Sequence, residues 1–246
     1  MLLTNGCSFV WGDELPGCYE NPPNHFGHTF THHLGNYLGM DQVNLSACGA
    51  GNDYIFRTTI EWLADKTKPQ PTHMVILWTA WQRQENLDAR IIKLGRDRQD
   101  VQLQADMVQF SEERVHNLHP SRQGAAFRYY NDVYDSGVDV LYTVSKMIAI
   151  QTICEERGIK LLQGVFHERC FTNMKHQLKR GGVSQYKNEL KKQIRLLNNT
   201  SRIGLGAYQD FYSMAKENND VMKYSHPGLD THLMYAKYLY QIYKET

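Results

Sequence analysis

Hydrophobic positions along the chain alternate between short apolar runs and amphipathic segments. Runs typical of buried strands lie at residues 2–3, 42–46, 74–78 and 159–166. The run at 74–78 is apolar throughout, which is typical of a central parallel strand covered on both faces. Apolar residues recur at helical spacing in the segments 25–38, 53–64, 138–157, 185–197 and 229–243. Strands that alternate with helices in this way predict an α/β fold with a doubly wound, mostly parallel sheet.

Residues 81–135 break this alternation, because they are polar and poorly periodic. A connection of this length inside a domain is typical of a lid, a binding region or an oligomer contact. The chain of 246 residues is long enough to bury the core of one α/β domain. We therefore expect a single domain over residues 1–246, with an insertion after the third strand at about 81–135.

Composition and charge exclude several classes of protein. The net charge of +1 gives no general reason to expect nucleic acid, a membrane surface or an acidic partner. Five cysteines without a C-x-x-C pair indicate reduced thiols, and neither a disulfide framework nor a zinc site. The basic stretch at 175–202 lacks the interleaved aromatic residues of single-strand binders, so we interpret it as a solvated helix face.

The first residues also bear on where the protein acts. No charged leader precedes an apolar run, and no apolar stretch approaches the length that crosses a membrane. We therefore expect no signal peptide and no membrane partner. The expected location is the cytoplasm of the producing cell or the interior of a larger particle such as a virion.

Candidate chemistry is concentrated where the predicted strands end. Ser8 follows Gly6 at the end of the first strand, and the carboxyl edge of an open α/β sheet is where ligands bind. Ser8 as a helix cap is the alternative. A serine nucleophile needs a base, and His226 before the last helix is of the right type. The backbone N–H of Gly49 and the side-chain amide of Asn52 are suitable donors for an oxyanion.

These segments resemble, in order, the conserved blocks of the SGNH or GDSL-type hydrolases, in particular compact members carried by bacteriophages. Gly6-Cys7-Ser8-Phe9 resembles the first block, residues 44–52 the second, and the stretch from His226 to Ala236 the last. The resemblance implies the SGNH hydrolase fold, a flavodoxin-like three-layer α/β/α arrangement. It also implies that Ser8 is the nucleophile, that Gly49 donates an oxyanion N–H and that His226 is the base.

Two positions depart from the family pattern. The family's acid lies three residues before the base, where this chain has Lys223, and neither Asp220 nor Asp230 has the expected spacing. A backbone carbonyl or Glu85 could orient the imidazole instead. The third block normally supplies an oxyanion asparagine that this chain lacks, and Asn52 is our chemical substitute.

Substrate-binding candidates lie at the end of the third strand. Aromatic faces and a guanidinium suit carbohydrate and carboxylate ligands, which favours Trp78, Trp81 and Arg83. Core packing is the alternative for Trp78, and an ion pair with Glu85 is the alternative for Arg83.

Further histidines compete with these assignments. His28 and His32 have a spacing that could hold a metal, but no carboxylate or cysteine completes a set nearby, so we expect no metal site. His232 competes with His226 for the role of base, and we assign it a capping or packing role at the start of the last helix.

The sequence thus predicts a serine esterase or deacetylase that acts on an O-acylated carbohydrate or a similar small ester through Ser8 and His226. No cofactor is implied. The alternative is a catalytically inactive SGNH-like scaffold with a binding or structural role. The absence of the usual acid and of the usual asparagine favours this alternative. The expected partner is a small-molecule or carbohydrate ester substrate. The sequence does not determine the oligomeric state.

Overall fold

A four-stranded parallel sheet forms the centre of the molecule. The computed structural model describes residues 1–20, 24–80, 84–87, 107–110, 136–167 and 184–246. The sheet contains β1 (Leu2–Gly6), β2 (Gln42–Asn44), β3 (His73–Trp78) and β6 (Lys160–Val165), in the order β2-β1-β3-β6. Leu2 of β1 pairs with Gln42 on one side and His73 on the other. The order confirms the doubly wound, mostly parallel sheet.

Two further strands belong to the insertion after β3. β4 (Gln84–Leu87) and β5 (Met107–Phe110) form a separate antiparallel pair, in which Gln84 is opposite Phe110. The sequence pattern of the insertion predicted neither strand. The proposed role of the insertion as a lid or binding region falls largely outside the described residues.

Seven α-helices are described. Their bounds are α1 (Ser8–Trp11), α2 (Phe30–Leu38), α3 (Asn52–Ala64), α4 (Ser136–Arg157), α5 (Ser184–Leu196), α6 (Phe211–Glu217) and α7 (Leu229–Glu245). The five helical segments predicted from apolar spacing correspond to α2, α3, α4, α5 and α7. The short helix α6 was not predicted and a helix at Ser8 was only an alternative, because neither helix is long enough to develop a periodic pattern.

The alternation of side chains along β1 separates the helices into two layers. The hydroxyl of Thr4 lies 2.8 Å from that of Thr31 in α2. The next residue, Asn5, points to the other face and donates to the carbonyl oxygen of Ile55 in α3 at 3.0 Å. The sheet therefore lies between α2 and α3 in a three-layer α/β/α arrangement.

Helix boundaries depend on local backbone chemistry. Gly39 and Gly158 end α2 and α4 with φ angles of 64° and 66°, a left-handed conformation that glycine adopts without strain. The Thr29 side chain accepts from the backbone N–H of His32 and caps the start of α2. The predicted helix at 25–38 is therefore divided, with a 3₁₀ turn at His25–His28 before α2.

No helix in the part of the chain that the structure describes is long and apolar enough to span a membrane. Within the same residues, no group of three or more metal-binding side chains comes together. Two of the histidines near the start of α2 form hydrogen bonds with other groups. His25 Nε2 lies 2.8 Å from the carbonyl oxygen of Trp11, and His32 Nδ1 lies 3.0 Å from Gln42 Nε2.

Candidate active site

Ser8 lies at the carboxyl end of β1, as the sequence predicted. The strand ends at Gly6, and α1 begins at Ser8 itself. A Cβ atom on Gly6 would lie 2.3 Å from Cγ2 of Val10, so only glycine allows α1 to pack this closely against the strand. The side chain of Ser8 is held at the edge of the core, where 6% of the residue is exposed.

The turn that carries Gly49 is fixed to this end of β1. The backbone N–H of Ala47 donates to the carbonyl oxygen of Gly6 at 3.4 Å. The Asn44 side chain donates to the carbonyl oxygen of Val10 at 3.0 Å and accepts from the backbone N–H of Ser46 at 3.1 Å. Gly49 has a φ angle of 78°. Among the described residues, apart from its chain neighbours, none places an atom within 4 Å of the Cβ position it lacks, so these residues leave its backbone open to a ligand.

His226 is held by a turn that leads into α7. Its carbonyl oxygen accepts from the N–H of Met222 at 2.8 Å, and Val221 forms a bridge with Pro227. Ser225, one residue earlier, has a φ of 71°, a conformation rare for a residue other than glycine. Backbone strain of this kind is found where the surrounding structure fixes a functional side chain.

Ser8, His226 and Glu14 form a continuous hydrogen-bonded chain. The Nε2 atom of His226 lies 2.9 Å from the hydroxyl oxygen of Ser8, and Nδ1 lies 2.9 Å from Oε2 of Glu14. An ionised carboxylate only accepts hydrogen bonds, so Nδ1 carries the proton and Nε2 is free to accept from the serine hydroxyl. This is the tautomer that a general base next to a nucleophile requires.

The side chain of Glu14 is 7% exposed, and its carboxylate is densely hydrogen-bonded. It accepts from the backbone N–H of Tyr224 at 2.9 Å and from that of His226 at 3.3 Å, in addition to the imidazole. Burial raises the pKa of Glu14, but these hydrogen bonds and the charge of His226 outweigh it, and the net pKa lies below the ordinary 4.5. Glu14 itself has a φ of 69°.

A second carboxylate, Asp13, lies beside the reacting face of the imidazole. Its Oδ2 atom is 3.5 Å from Nε2 of His226, and 20% of its side chain is exposed. Its Oδ1 atom accepts from the backbone N–H of Glu14 at 3.1 Å. Burial and the nearby Asp13 carboxylate raise the pKa of both the Tyr19 hydroxyl and the Cys48 thiol. The two neighbouring acids thus contact different nitrogens of one ring.

Aromatic rings support the imidazole from the side of the protein. The ring of Phe9 lies 5.0 Å from that of His226 and 4.3 Å from that of Phe166, centre to centre. Phe9 is 8% exposed. This packing limits the orientations that the imidazole can adopt.

The structure corrects two of the predicted site residues. Asn52 is buried, and its amide N–H₂ donates to the carbonyl oxygen of Thr79 at 3.1 Å and to the hydroxyl of Thr143 at 3.2 Å. Because both side-chain hydrogens are engaged, Asn52 connects α3 to β3 and α4, and its amide has no N–H left for an oxyanion. Trp78 is fully buried and donates to Oε1 of Gln163 at 2.9 Å, so it belongs to the core and does not line a substrate pocket.

The remaining candidates from the sequence are two substrate-binding residues and two residues that were considered as acid or base. Trp81 and Arg83 lie outside the described residues, and their assignment stays a prediction. Asp220 accepts from the backbone N–H of Thr231 at 2.7 Å and caps α7, which agrees with its exclusion as the acid. His232 is fully buried, and its Nδ1 accepts from the backbone N–H of Phe30 at 2.9 Å, which confirms the packing role.

Glu14 is the residue that sequence analysis missed. A backbone carbonyl or Glu85 was expected to orient the imidazole, whereas the carboxylate that contacts Nδ1 of His226 follows Ser8 by six residues. The available signal was the pair Asp13-Glu14 in a glycine-rich loop next to the first block. The spacing alone did not indicate which carboxylate reaches the imidazole.

Known structures share this architecture. The fold is similar to that of a carbohydrate esterase family 2 (CE2) enzyme with a carbohydrate binding domain from Corynascus thermopiles (Myceliophthora fergusii), at a TM-score of 0.50 and 12% identity over 98% of this chain and 64% of that chain. An acetyl xylan esterase (Est2A) from Butyrivibrio proteoclasticus matches at 0.50 and 12% over 99% of this chain and 63% of that one. A G-D-S-L family lipolytic protein from Veillonella parvula DSM 2008 matches at 0.49 and 10%, over 100% and 98%.

The parallel sheet and the likeness to the two esterase structures define an α/β protein with an SGNH-like fold. At 10–12% identity the likeness concerns the fold alone. The chain belongs to the family described as "Family of unknown function (DUF6071)", whose sequence profile matches residues 13–243. No curated protein matches the chain. The expected association with bacteriophages stays a prediction.

Proposed function

We propose that this protein is a serine esterase of the SGNH type that removes an acyl group from a carbohydrate or a similar small ester. The observation that carries the proposal is the hydrogen-bonded chain from Ser8 through His226 to Glu14. Nucleophile, base and orienting acid are within hydrogen-bond reach of one another, as acyl transfer requires. The carbohydrate esterases that share the fold support the choice of substrate.

The proposed reaction has two halves. The Ser8 oxygen attacks the acyl carbon while its proton moves to Nε2 of His226, and Glu14 stabilises the imidazolium through Nδ1. Nε2 then returns the proton to the leaving alcohol oxygen as the carbon–oxygen bond breaks. In the second half, water attacks the acyl carbon and gives a proton to Nε2. Nε2 then returns this proton to the Ser8 oxygen as the bond between Ser8 and the acyl group breaks, and the free acid leaves.

Backbone amides are the proposed oxyanion donors. Neither the N–H of Ser8 nor that of Gly49 donates to a protein acceptor within the described part of the chain. Preorganised N–H groups of this kind stabilise the negative charge that develops on the acyl oxygen. They take the place of the family's asparagine, which this chain lacks, and of Asn52, whose amide is engaged elsewhere.

The alternative, an inactive scaffold, depended on the absence of an acid and of an oxyanion asparagine. Glu14 contacts Nδ1 of His226, so its carboxylate can orient the imidazole as the family's acid does. Only the missing asparagine still favours the alternative, and backbone donors can compensate for it. We therefore favour catalysis.

Replacement of the nucleophile tests the proposal. We expect Ser8→Ala to lower kcat for p-nitrophenyl acetate by about 10⁴-fold or more, because the acyl-enzyme cannot form. Ser145→Ala, which removes an exposed hydroxyl from α4, is the control and should keep wild-type kcat. A fluorophosphonate should label the peptide that contains Ser8. Equal rates for Ser8→Ala and wild type, or label on another peptide, would contradict the proposal.

A further inference from the structure

Asp13 has a position in the site that the proposed triad does not use. The imidazole of His226 already has an orienting acid, because Glu14 meets Nδ1. Asp13 lies on the opposite nitrogen, 3.5 Å from Nε2, which is also the atom that meets the Ser8 hydroxyl at 2.9 Å. Its carboxylate therefore lies where the chemistry takes place.

The position of Nε2 restricts what Asp13 can contact during turnover. After Ser8 has attacked, Nε2–H must donate to the oxygen of the leaving alcohol, so that oxygen has to approach Nε2. The group bonded to this oxygen then lies beside the carboxylate that flanks Nε2. Asp13 is thus placed to contact the alcohol part of the ester, whereas the acyl part extends from the carbon attacked by Ser8.

Asp13 also keeps the capacity to accept a hydrogen bond from a substrate. A carboxylate offers about four acceptor positions, and the backbone N–H of Glu14 occupies one of them, at 3.1 Å from Oδ1. Even with the Tyr19 hydroxyl and the Cys48 thiol against the same carboxylate, at least one position is left for a substrate. One fifth of the Asp13 side chain is exposed, so a ligand can reach it. An ionised carboxylate binds a hydroxyl donor more strongly than a neutral acceptor does, and it repels an anion.

This inference rests on the proposed function. We propose that Asp13 selects esters of alcohols with a second hydroxyl group, located on the carbon adjacent to the one bonded to the ester oxygen. Vicinal hydroxyls of this kind are present in polyols and sugars. An alcohol with an apolar group at that position loses the hydrogen bond, and one with a carboxylate there is repelled. Asp13 is then a specificity-determining residue and not a second orienting acid.

Three small acetate esters test this specificity, because they differ only at the critical position: 2-hydroxyethyl acetate, propyl acetate and O-acetylglycolate. We expect Asp13→Asn to reduce the ratio of kcat/KM for the hydroxyethyl ester to that for the propyl ester by roughly five- to tenfold, the difference between a charged and a neutral hydrogen bond. The relative rate for O-acetylglycolate should rise. Ratios between substrates also cancel any general loss of activity in the variant.

Asp41→Asn is the matched control. Asp41 is exposed and precedes β2 at the amino end of the sheet, so the variant makes the same change in charge at the opposite edge. Its three ratios should equal those of the wild type. Equal losses on all three esters in Asp13→Asn would overturn the proposal, because Asp13 would then act only on the imidazole.

Wild-type protein provides a second measurement that does not depend on the folding of a variant. Each kcat/KM is divided by the rate of hydroxide-catalysed hydrolysis of the same ester. We expect the normalised value to be highest for 2-hydroxyethyl acetate and lowest for O-acetylglycolate, and any other order contradicts the proposal. Hydrolysis of none of the three, together with no effect of Ser8→Ala on p-nitrophenyl acetate, would instead reject the proposed function itself.

Discussion

Glu14 combines an unusual backbone conformation with a fully engaged side chain. A non-glycine residue with a φ of 69° costs on the order of 1–2 kcal/mol, and the surrounding hydrogen bonds have to offset that cost. Those bonds come from the Tyr224 and His226 backbone and from the imidazole. The same contacts that fix the backbone therefore also hold the imidazole in the orientation that Ser8 requires.

Removal of the Glu14 charge should affect turnover more than binding. We expect Glu14→Gln to lower kcat for p-nitrophenyl acetate by about 10²- to 10⁴-fold with little change in KM, because the imidazolium formed in the transition state loses its counter-charge. Glu20→Gln, an exposed change in the same loop, should keep wild-type kcat. An unchanged kcat for Glu14→Gln would mean that Glu14 only stabilises the loop.

The same variant should alter the dependence of stability on pH. The folded-state pKa of Glu14 lies below the ordinary 4.5, so its contribution to stability is fully present above pH 4.5 and is lost as the pH falls through the folded-state value. The difference in free energy of unfolding between wild type and Glu14→Gln should be constant from about pH 7 to 5 and shrink at lower pH. Urea denaturation at several pH values measures it, and a difference that grows at low pH would contradict the assignment.

At the scale of elements, the strand-to-helix turn positions the nucleophile. The close packing of α1 on β1 leaves no room for a Cβ on Gly6, where the nearest atoms belong to Val10 and to the carbonyl oxygen of Leu77. The Asn44 side chain fixes the neighbouring turn to the end of α1. These contacts fix the turns that carry Ser8 and Gly49 to the same end of β1.

Gly6→Ala tests the importance of this packing. We expect the variant to lose about 1–3 kcal/mol of free energy of unfolding, because the new methyl overlaps the Val10 side chain. The kcat should fall by about tenfold or more, since displacement of a catalytic group by about 1 Å is costly. Gly27→Ala is the matched control: none of the residues that the structure describes, apart from its chain neighbours, has an atom within 4 Å of its Cβ position, and stability and kcat should stay unchanged. Wild-type kcat in Gly6→Ala would contradict the argument.

At the scale of the whole molecule, α2 and α7 join the two ends of the chain. Buried His232 in α7 accepts from the backbone N–H of Phe30 at the start of α2, and its ring stacks on that of Phe30 at 6.1 Å. Burial lowers the pKa of His232 to about 3, with smaller effects from neighbouring histidines. The imidazole is therefore neutral in the folded protein over the physiological range.

This burial makes global stability depend on pH. A histidine whose pKa falls from 6.5 to about 3 on folding contributes stability above pH 6.5 that is lost as the pH falls below it. Between pH 7 and 5 we expect the wild type to lose about 2 kcal/mol of free energy of unfolding through this group. His232→Gln keeps a hydrogen-bond acceptor but removes the titrating imidazole. The variant should therefore lose less free energy of unfolding than the wild type between pH 7 and 5. Parallel pH curves from urea denaturation would contradict the prediction.

Local patterns predicted most of the fold. Glycines at positions 39 and 158 marked helix ends, and the uniformly apolar run at 74–78 marked a central strand, because backbone freedom and burial leave signals in adjacent residues. The 3₁₀ turn at His25–His28 and helix α6 were missed, since elements of one or two turns develop no periodicity. Trp78 could not be assigned to core or pocket until its partner Gln163 was known.

The sequence by itself determined the alternation of the four sheet strands with the five longer helices. It also determined the placement of Ser8 after the first strand and of His226 before the last helix. These features depend on the spacing of apolar residues and on glycine turns, which are local. Only the tertiary structure decided that Glu14 orients the imidazole, that Asp13 flanks its other nitrogen and that the Asn52 amide is engaged. Each of these is a contact between segments far apart along the chain (212 residues for Glu14 and His226), and no periodicity records such contacts.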